Sequence, residues 1–343
     1  MSKNYYIIPV FISHQGCPHQ CVFCNQDRIA GKYEEVFACD VRKTINEYLE
    51  TIDSKGATIE VSFFGGTFTA ISVSKQKELL EVAREYKKKG LIHKIRLSTR
   101  PDAISPYILS YLKDYTVDII ELGVQSLNDE VLRKAGRGHT VEHVVKASKL
   151  IKDSGFILGH QIMPGLPGDN FEIDIETTKK SIEMKPDICR IYPSLVIKDT
   201  PMEEMYNRGE YIPYSLEEAV YISGKMLKLY NEAKVKVIRI GLQPTDTITT
   251  GKDIVDGPFH PAFRELVEGS LICKTLSEKC PKGNDIIIEI NEKDISKLYT
   301  NKKQYFRSFL DERDGKVYVN TNNKVKKGKL KLTIIERREE FKI

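Results

Sequence analysis

Residues 58–98 read TIEVSFFGGTFTAISVSKQKELLEVAREYKKKGLIHKIRLS. The segment opens on a β-branched and aromatic run, Thr58 to Phe64, and closes on a short stretch in which Ile95 and Leu97 alternate with polar residues, Lys94 to Ser98. Between them, from Lys75 to Lys88, apolar residues recur at three- and four-residue steps and Gly90 follows. Strand, helix, strand is a crossover unit, and a crossover joins parallel strands. The alternation continues outward in both directions. Further strands are expected at Tyr5 to Ile12, Val117 to Val124, Phe156 to Met163 and Asp187 to Tyr192, with helices at Val41 to Ile52, Val141 to Ser154 and Phe171 to Met184. Six parallel strands with outer helices make a curved α/β sheet, either a full barrel lacking some units or an open partial one. In such sheets chemistry gathers at the carboxyl ends of the strands.

Beyond this alternation the pattern loosens. A helix is expected at Ser215 to Lys234, a strand at Val235 to Ile240, and a long loop over the Thr/Gly/Pro/Asp-rich stretch Gln243 to His260. After Pro281-Lys282-Gly283-Asn284 come a strand at Ile286 to Ile290, a helix at Asp294 to Phe309, and strands at Lys316 to Asn320 and Lys329 to Ile335 around an Asn-Asn turn. The expected organisation is therefore a partial barrel over 1–240, a connecting loop and helix over 241–282, and a small basic α+β domain over 283–343. No repeat is visible.

With 343 residues, 41% hydrophobic and 29% charged, the chain reads as an ordinary globular protein. No apolar run approaches the roughly 18 residues of a membrane span, and the first strand carries no small-residue cleavage site, so the cytoplasm is the expected compartment. An excess of five cations over acids is too small to imply nucleic acid by itself. Its distribution says more, because Lys324 to Lys331 holds five lysines in eight positions. That density suits a phosphate backbone, with Lys326 and Lys327 as contacts, or equally a solvated hairpin.

Seven cysteines, three of them within eight positions, fit a metal site in a reducing compartment better than a disulfide framework. Cys17-Pro18-His19-Gln20-Cys21-Val22-Phe23-Cys24 places three thiols on a loop after the first strand. Spacing alone leaves two readings open: an iron–sulfur cluster, or zinc with a distant fourth ligand such as Cys39 or His14. Gly65 and Gly66 end the second strand, where a glycine pair marks a turn or lets the backbone approach a ligand. Cys273 and Cys280 have no companion ligands and read as ordinary cysteines before a second metal site.

Taken together, these motifs resemble the radical S-adenosylmethionine (SAM) superfamily. Its ligand motif is Cys, three residues, Cys, one residue, an aromatic and Cys, with Phe23 in the aromatic slot. The resemblance extends in order along about 240 residues, through Gly65-Gly66-Thr67, Thr99-Arg100-Pro101-Asp102, Gly123-Val124-Gln125, Gly136-Arg137-Gly138, the Met163 to Gly168 loop and Arg190-Ile191-Tyr192-Pro193. It is similar above all to the radical SAM half of the elongator complex catalytic subunit and more distantly to oxygen-independent coproporphyrinogen oxidases. The resemblance implies a TIM-like partial barrel of six βα units and a [4Fe–4S] cluster held by Cys17, Cys21 and Cys24. It implies SAM bound by Phe23 near the adenine, by Gly65, Gly66 and Thr67 at the methionine amino group, and by Gln125, Arg137 and Met163. It also implies an electron donor such as flavodoxin or ferredoxin.

RNA is the expected substrate class, and Tyr192 reads either as a core side chain or as lining the substrate cavity. The alternatives are a small molecule or peptide, and a non-catalytic metal-containing RNA-binding module. Two departures from the relatives bear on this. Ser98 stands where they usually carry a glutamate, and only about 60 residues follow the barrel and connector, so acetyl transfer is not carried over. No porphyrin chemistry is expected either, since Gln161 replaces an aspartate of that branch.

Overall fold

The computed structural model describes residues 5–12, 17, 19–25, 35–53, 55–243 and 251–335. His14, the alternative zinc ligand, and residues 244–250 of the expected loop lie outside them. Contacts divide the chain into one compact unit of Met1–Ile222 and Met226–Phe259 and another of Ser223–Lys225 and His260–Ile343.

The first unit is built from β1 (Tyr5–Ile12), α1 (Ala38–Thr51), β2 (Thr58–Gly65), α2 (Val73–Lys88), β3 (Lys94–Thr99), α3 (Pro106–Asp114), β4 (Ile119–Gln125), α4 (Asp129–Lys134) and α5 (Val141–Asp153). It continues through β5 (Ile157–Ile162), α6 (Phe171–Glu183), β6 (Ile188–Ile191), β7 (Val196–Ile197), α7 (Pro201–Asn207), α8 (Leu216–Glu232), β8 (Lys236–Ile240) and β9 (Ile254–Asp256). One parallel sheet runs in the order β1-β2-β3-β4-β5-β6-β8. It is open, with β1 and β8 at its edges, and it has seven strands instead of the six expected. The seventh is the strand after α8, which buries Val237 and Ile240 and pairs with β6.

Helix starts follow their caps. Ser72, Asn170 and Ser215 accept from the backbone N–H groups of Lys75, Ile173 and Glu218. Short helices α3, α4 and α7, absent from the periodicity reading, begin at Ser105, Asn128 and Thr200 in the same way. Within the stretch read as a loop, β9 pairs antiparallel with β7 because Ile254 is buried with Leu195 and Ile197.

Alternation along the central strands buries both sides of the sheet. Ile59, Val61, Phe63, Ile95, Leu97, Ile120 and Leu122 are apolar and buried, and the residues between them are buried but charged or polar. Glu60 on β2 accepts from Ser62 Oγ at 2.6 Å, from Arg96 Nη2 at 3.0 Å and from the Tyr5 hydroxyl. Glu121 Oε1 on β4 accepts from Arg96 Nη1 at 3.0 Å and from Arg190 Nε on β6 at 2.8 Å. The intervening strand β5 supplies Gly159 at this level, where a Cβ would stand 2.6 Å from Glu121 Cγ. Only glycine lets the glutamate reach across β5.

The second unit contains α9 (Phe263–Lys279), β10 (Asp285–Ile290), α10 (Ile295–Leu298), α11 (Gln304–Asp311), β11 (Val317–Thr321) and β12 (Leu330–Ile335). α9 contributes Cys273 and Leu276 to a core shared with Cys280, Ile286, Ile288, Leu298, Phe306 and Phe309. The segment expected as a connector over 241–282 is thus divided, its helix packing within this unit. Burial pushes the Cys273 thiol up to about 12 and the Cys280 thiol up as well. These two are core side chains.

The last two strands do not form the expected hairpin. β11 pairs parallel and β12 antiparallel with β10, in the order β11-β10-β12. β10 takes the centre because its Ile286, Ile288 and Ile290 bury one whole face. The single helix expected from Asp294 to Phe309 is broken at Asn301, Lys302 and Lys303, all at positive φ. Beside the break, a Cβ on Gly269 would lie 2.6 Å from the Lys297 carbonyl, so this close crossing demands glycine.

Two stability predictions follow from this packing. Arg96→Met would leave Glu60 and Glu121 buried without their shared cation, and chemical denaturation should show a loss of about 3–5 kcal/mol. At the start of α6, Asp174 is 1% exposed and accepts from the Tyr214 hydroxyl at 2.9 Å. Burial first, then the Asp169 carboxylate, push its carboxyl well up. A carboxyl raised on folding stabilises fully below its unfolded value and loses that contribution as pH rises through the folded value. The wild type should therefore lose stability from the ordinary carboxylate range toward alkaline pH. Asp174→Asn, which mimics the protonated form, should flatten that part of the pH profile.

Candidate functional site

The cysteine loop is fastened at several points. Val22 N donates to Ala135 O at 3.1 Å and Met202 N donates to Val22 O at 2.9 Å, tying the loop to the end of α4 and the start of α7. Cys24 N closes a turn onto Cys21 O. Asn25 Nδ2 donates to Lys198 O at 3.1 Å. Phe23 and Val22 pack among Val131, Leu166, Met163, Met202 and Tyr211. The three thiols sit differently: Cys17 is exposed, Cys24 half-buried and Cys21 buried.

Each strand end delivers one piece of the surroundings. At the end of β2, Gly65 has φ +105° and a Cβ there would stand 2.9 Å from Ile12 O. Gly66 N donates to the same carbonyl at 2.8 Å. The glycine pair therefore lets β2 close against the end of β1, where the cysteine loop departs. Thr67 follows, buried, with Oγ1 3.2 Å from Cys17 Sγ.

At the end of β4 the register slips between Gly123 and Gln125, a bulge that leaves Gln125 at φ +67°. Such a conformation is costly for a residue with a long side chain and collects at functional sites. Gln125 O accepts from Met163 N at 2.9 Å, which joins it to the end of β5. Its side-chain Oε1 is buried without a hydrogen-bond partner among the described residues. An open acceptor held in a strained backbone fits a ligand's ammonium or hydroxyl group.

Arg137 links the two parts. Its Nη1 donates to Cys21 Sγ at 3.1 Å and its Nη2 to Gly123 O at 2.7 Å, while Nε is buried and unpartnered among the described residues. Its guanidinium carbon lies 6.0 Å from the centre of the Phe23 ring. The flanking glycines admit the cysteine loop: a Cβ on Gly136 would be 3.0 Å from Gln20 O, and one on Gly138 would overlap the His19 ring.

His139 and Arg190 stand within or beside the motifs quoted above but carry no expected role from sequence. His139 Nε2 lies 3.2 Å from Val124 O and so carries the ring proton, leaving Nδ1 a buried bare acceptor. Burial, then Arg137 and Arg100, push it down to about 3, so it is neutral. Arg190, 9% exposed, donates from Nη1 to Tyr192 Oη at 3.1 Å and has Nη2 unpartnered among the described residues. A cation inside the apolar run Ile188–Ile191 is the signal that marked it.

The structure thus connects Cys21, Phe23, Gln125, Arg137 and Met163 in one patch, and Cys17 with Gly65, Gly66 and Thr67 beside the end of β1. Tyr192 joins the interior ladder through Arg190. Lys326 and Lys327 are exposed and belong to the second unit. Ser98, in place of a carboxylate, stands two residues beyond Arg96 on β3. Among the described residues no three Cys, His, Asp or Glu side chains gather as ligands of a single metal ion. A [4Fe–4S] cluster makes a different demand, because each thiolate takes an iron of its own. Three thiols on one fastened loop fit that demand, and the open Gln125 acceptor and Arg137 donor fit a zwitterionic cosubstrate beside it.

Comparison with known proteins agrees with this geometry. The radical SAM superfamily model matches residues 11–180, and the radical SAM C-terminal domain model matches residues 186–272. The tRNA uridine(34) acetyltransferase of Methanocaldococcus infernus is 32% identical over 319 residues, 82% of this chain and 59% of the relative. Elongator complex protein 3 of Homo sapiens is 38% identical over 138 residues, 39% of this chain and 25% of the relative. The solved structure of the archaeal M. infernus Elp3 with an N-terminal deletion has a TM-score of 0.61 at 27% identity, covering 81% of this chain and 64% of that one. The chain spans about half the length of the tRNA uridine(34) acetyltransferases that it matches. Strand order, strand-end motifs and relatives agree, and the chain belongs to the radical SAM superfamily, whose enzymes use a [4Fe–4S] cluster and SAM.

Proposed function

We propose that this protein cleaves SAM reductively and uses the resulting radical to modify RNA, with transfer RNA as the favoured substrate. When bound, a [4Fe–4S] cluster with one open iron supplies the electron that splits the sulfonium into methionine and a deoxyadenosyl radical. Cys17, Cys21 and Cys24 would hold it. The observation that carries the reading is the contact between ligand loop and strand ends: Arg137 donates to Cys21 Sγ and to Gly123 O, two residues before the strained Gln125.

The chain's own residues then divide the remaining work. Gly65 and Gly66 offer backbone to the methionine amino group, and Thr67 stands next to Cys17. Gln125 Oε1 accepts from the cosubstrate, Arg137 Nε donates to it, and Phe23 with Met163 forms an apolar wall for the adenine. Deeper in the sheet, Arg190 Nη2 is a buried donor without an acceptor among the described residues, suited to carbonyl or phosphate oxygens of the substrate. The names of the relatives support transfer RNA, and the exposed Lys326 and Lys327 suit its phosphates. The electron comes from a reduced carrier such as flavodoxin or ferredoxin. No helix among the described residues is long and apolar enough to cross a membrane.

Protein reconstituted anaerobically with iron and sulfide, then given dithionite and SAM, should release deoxyadenosine and methionine. A cluster-replete preparation that releases neither overturns the radical chemistry. Mass spectrometry of cellular RNA with and without the protein should reveal one missing modified nucleoside, whereas identical profiles move the substrate to a small molecule or peptide. Gln125→Asn keeps a residue tolerant of positive φ but withdraws the acceptor. Calorimetric titration of the reconstituted variant should show SAM bound roughly tenfold more weakly, and unchanged affinity removes Gln125 from the site.

A further inference from the structure

We propose that the outer face of the β11-β10-β12 sheet binds unpaired RNA, with Tyr318 as a stacking platform for a base and the lysines of the adjoining turn and of β12 as the phosphate contacts. The proposal rests on the reading of RNA as substrate and deepens it by naming the surface that captures the strand.

The sheet has two unlike faces. Ile286, Ile288 and Ile290 turn into the core of the second unit, so alternation sends Ile287 and Glu289 outward. Register places Tyr318 on one side of Ile287 and Thr333 on the other, all on the outer face. Tyr318 is 46% exposed, and among the described residues it has neither a hydrogen bond nor a ring partner. Asn320 and Lys331 flank Glu289 one step along.

Charge on this face is arranged for an anion. Glu289 is the acid at its middle, and both its oxygens are occupied, by Asn322 Nδ2 at 2.7 Å and Lys331 Nζ at 2.8 Å. Asp285, the other acid of β10, accepts from Lys316 N at 2.8 Å. Lys316, Lys326, Lys327 and Lys329 are exposed, and the turn carrying three of them is closed by Lys329 N donating to Lys326 O. Over the whole sequence the asymmetry is complete. Residues 283–343 hold 15 Lys and Arg against 10 Asp and Glu, while residues 1–282 hold 38 of each. All of the protein's excess positive charge therefore lies in this segment.

These features select one kind of partner. An aromatic ring flanked by cations accepts any base, provided the base is not already stacked in a duplex. Loops and single-stranded ends meet that condition, and a continuous duplex offers only its phosphates.

The test uses the full chain without cluster or SAM and follows fluorescence anisotropy of a labelled RNA stem-loop and of a fully paired RNA duplex of equal length. The stem-loop should bind more tightly than the duplex. Tyr318→Ala should weaken stem-loop binding by about tenfold and leave duplex binding unchanged, and Tyr318→Phe should restore it. The double substitution Lys326→Ala and Lys327→Ala should reduce the slope of log affinity against log salt by about 1.4. Equal binding of both RNAs, or Tyr318→Ala binding the stem-loop as the wild type does, overturns the proposal. Because neither cluster nor SAM is present, such a failure leaves deoxyadenosine release untouched, and failure of that release leaves this result standing.

Discussion

Four side chains of alternating charge cross the interior of the sheet, Glu60 on β2, Arg96 on β3, Glu121 on β4 and Arg190 on β6, and the rest of the first unit is built on their pairing. Each is nearly excluded from water. For Glu121, burial alone would push the carboxyl up, and the guanidiniums of Arg190 and Arg96 together outweigh it and hold it below the ordinary range. Burying such a set gains little against an apolar filling, but a slip of one residue in any strand would turn a charge into the apolar layer. The ladder is a register device. It also explains Gly159, because a glutamate on β4 reaches an arginine on β6 only if β5 carries no side chain between them.

Fixed register has a consequence at the other end of each strand. With β2, β3, β4 and β6 locked at the level of the ladder, the positions three to five residues onward reach the carboxyl edge together. There the chain departs from ordinary geometry: Gly65 at φ +105°, the bulge before Gln125, and the two glycines around Arg137. Strain of this kind persists only where the surroundings over-determine it. The strand pairing below supplies that constraint, so Gln125 can hold an unsatisfied acceptor ready without the strand end relaxing.

Much of this was legible beforehand, for identifiable reasons. Thr58 to Phe64 stands as a strand in sequence because a β-branched and aromatic run ending on Gly65-Gly66 has no helical period, and Lys94 to Ser98 because Ile95 and Leu97 alternate with polar residues. The cysteines, Gly65-Gly66, Gln125 and Arg137 were legible as a series because order along the chain maps onto order across a parallel sheet. The ladder was not, since a charge at every second position of a strand looks the same whether that face meets water or other charges. The turn at Asn301 to Lys303 was hidden because nothing local marks three non-glycine residues for positive φ. What sets it is Gly269, more than thirty residues earlier, where a helix comes within van der Waals reach. An Asn-Asn turn suggests a hairpin of β11 and β12, but the choice of central strand is made by burial of β10, and β12 pairs with it instead.

The two units differ in electrostatic character. Up to residue 282 acids and bases balance, and the interior ladder is itself neutral. The first unit holds 33 Lys and Arg against 35 Asp and Glu, so donors such as Arg190 Nη2 can read the acceptors of a particular group while the unit adds no long-range attraction for an anion. The second unit has the opposite character: exposed lysines, their nearby acids already paired, and one bare aromatic ring. Attraction by phosphate falls with salt and is indifferent to sequence, whereas a buried acceptor–donor match is local and selective. The excess of surface lysines and the register on which every strand end depends thus belong to different units.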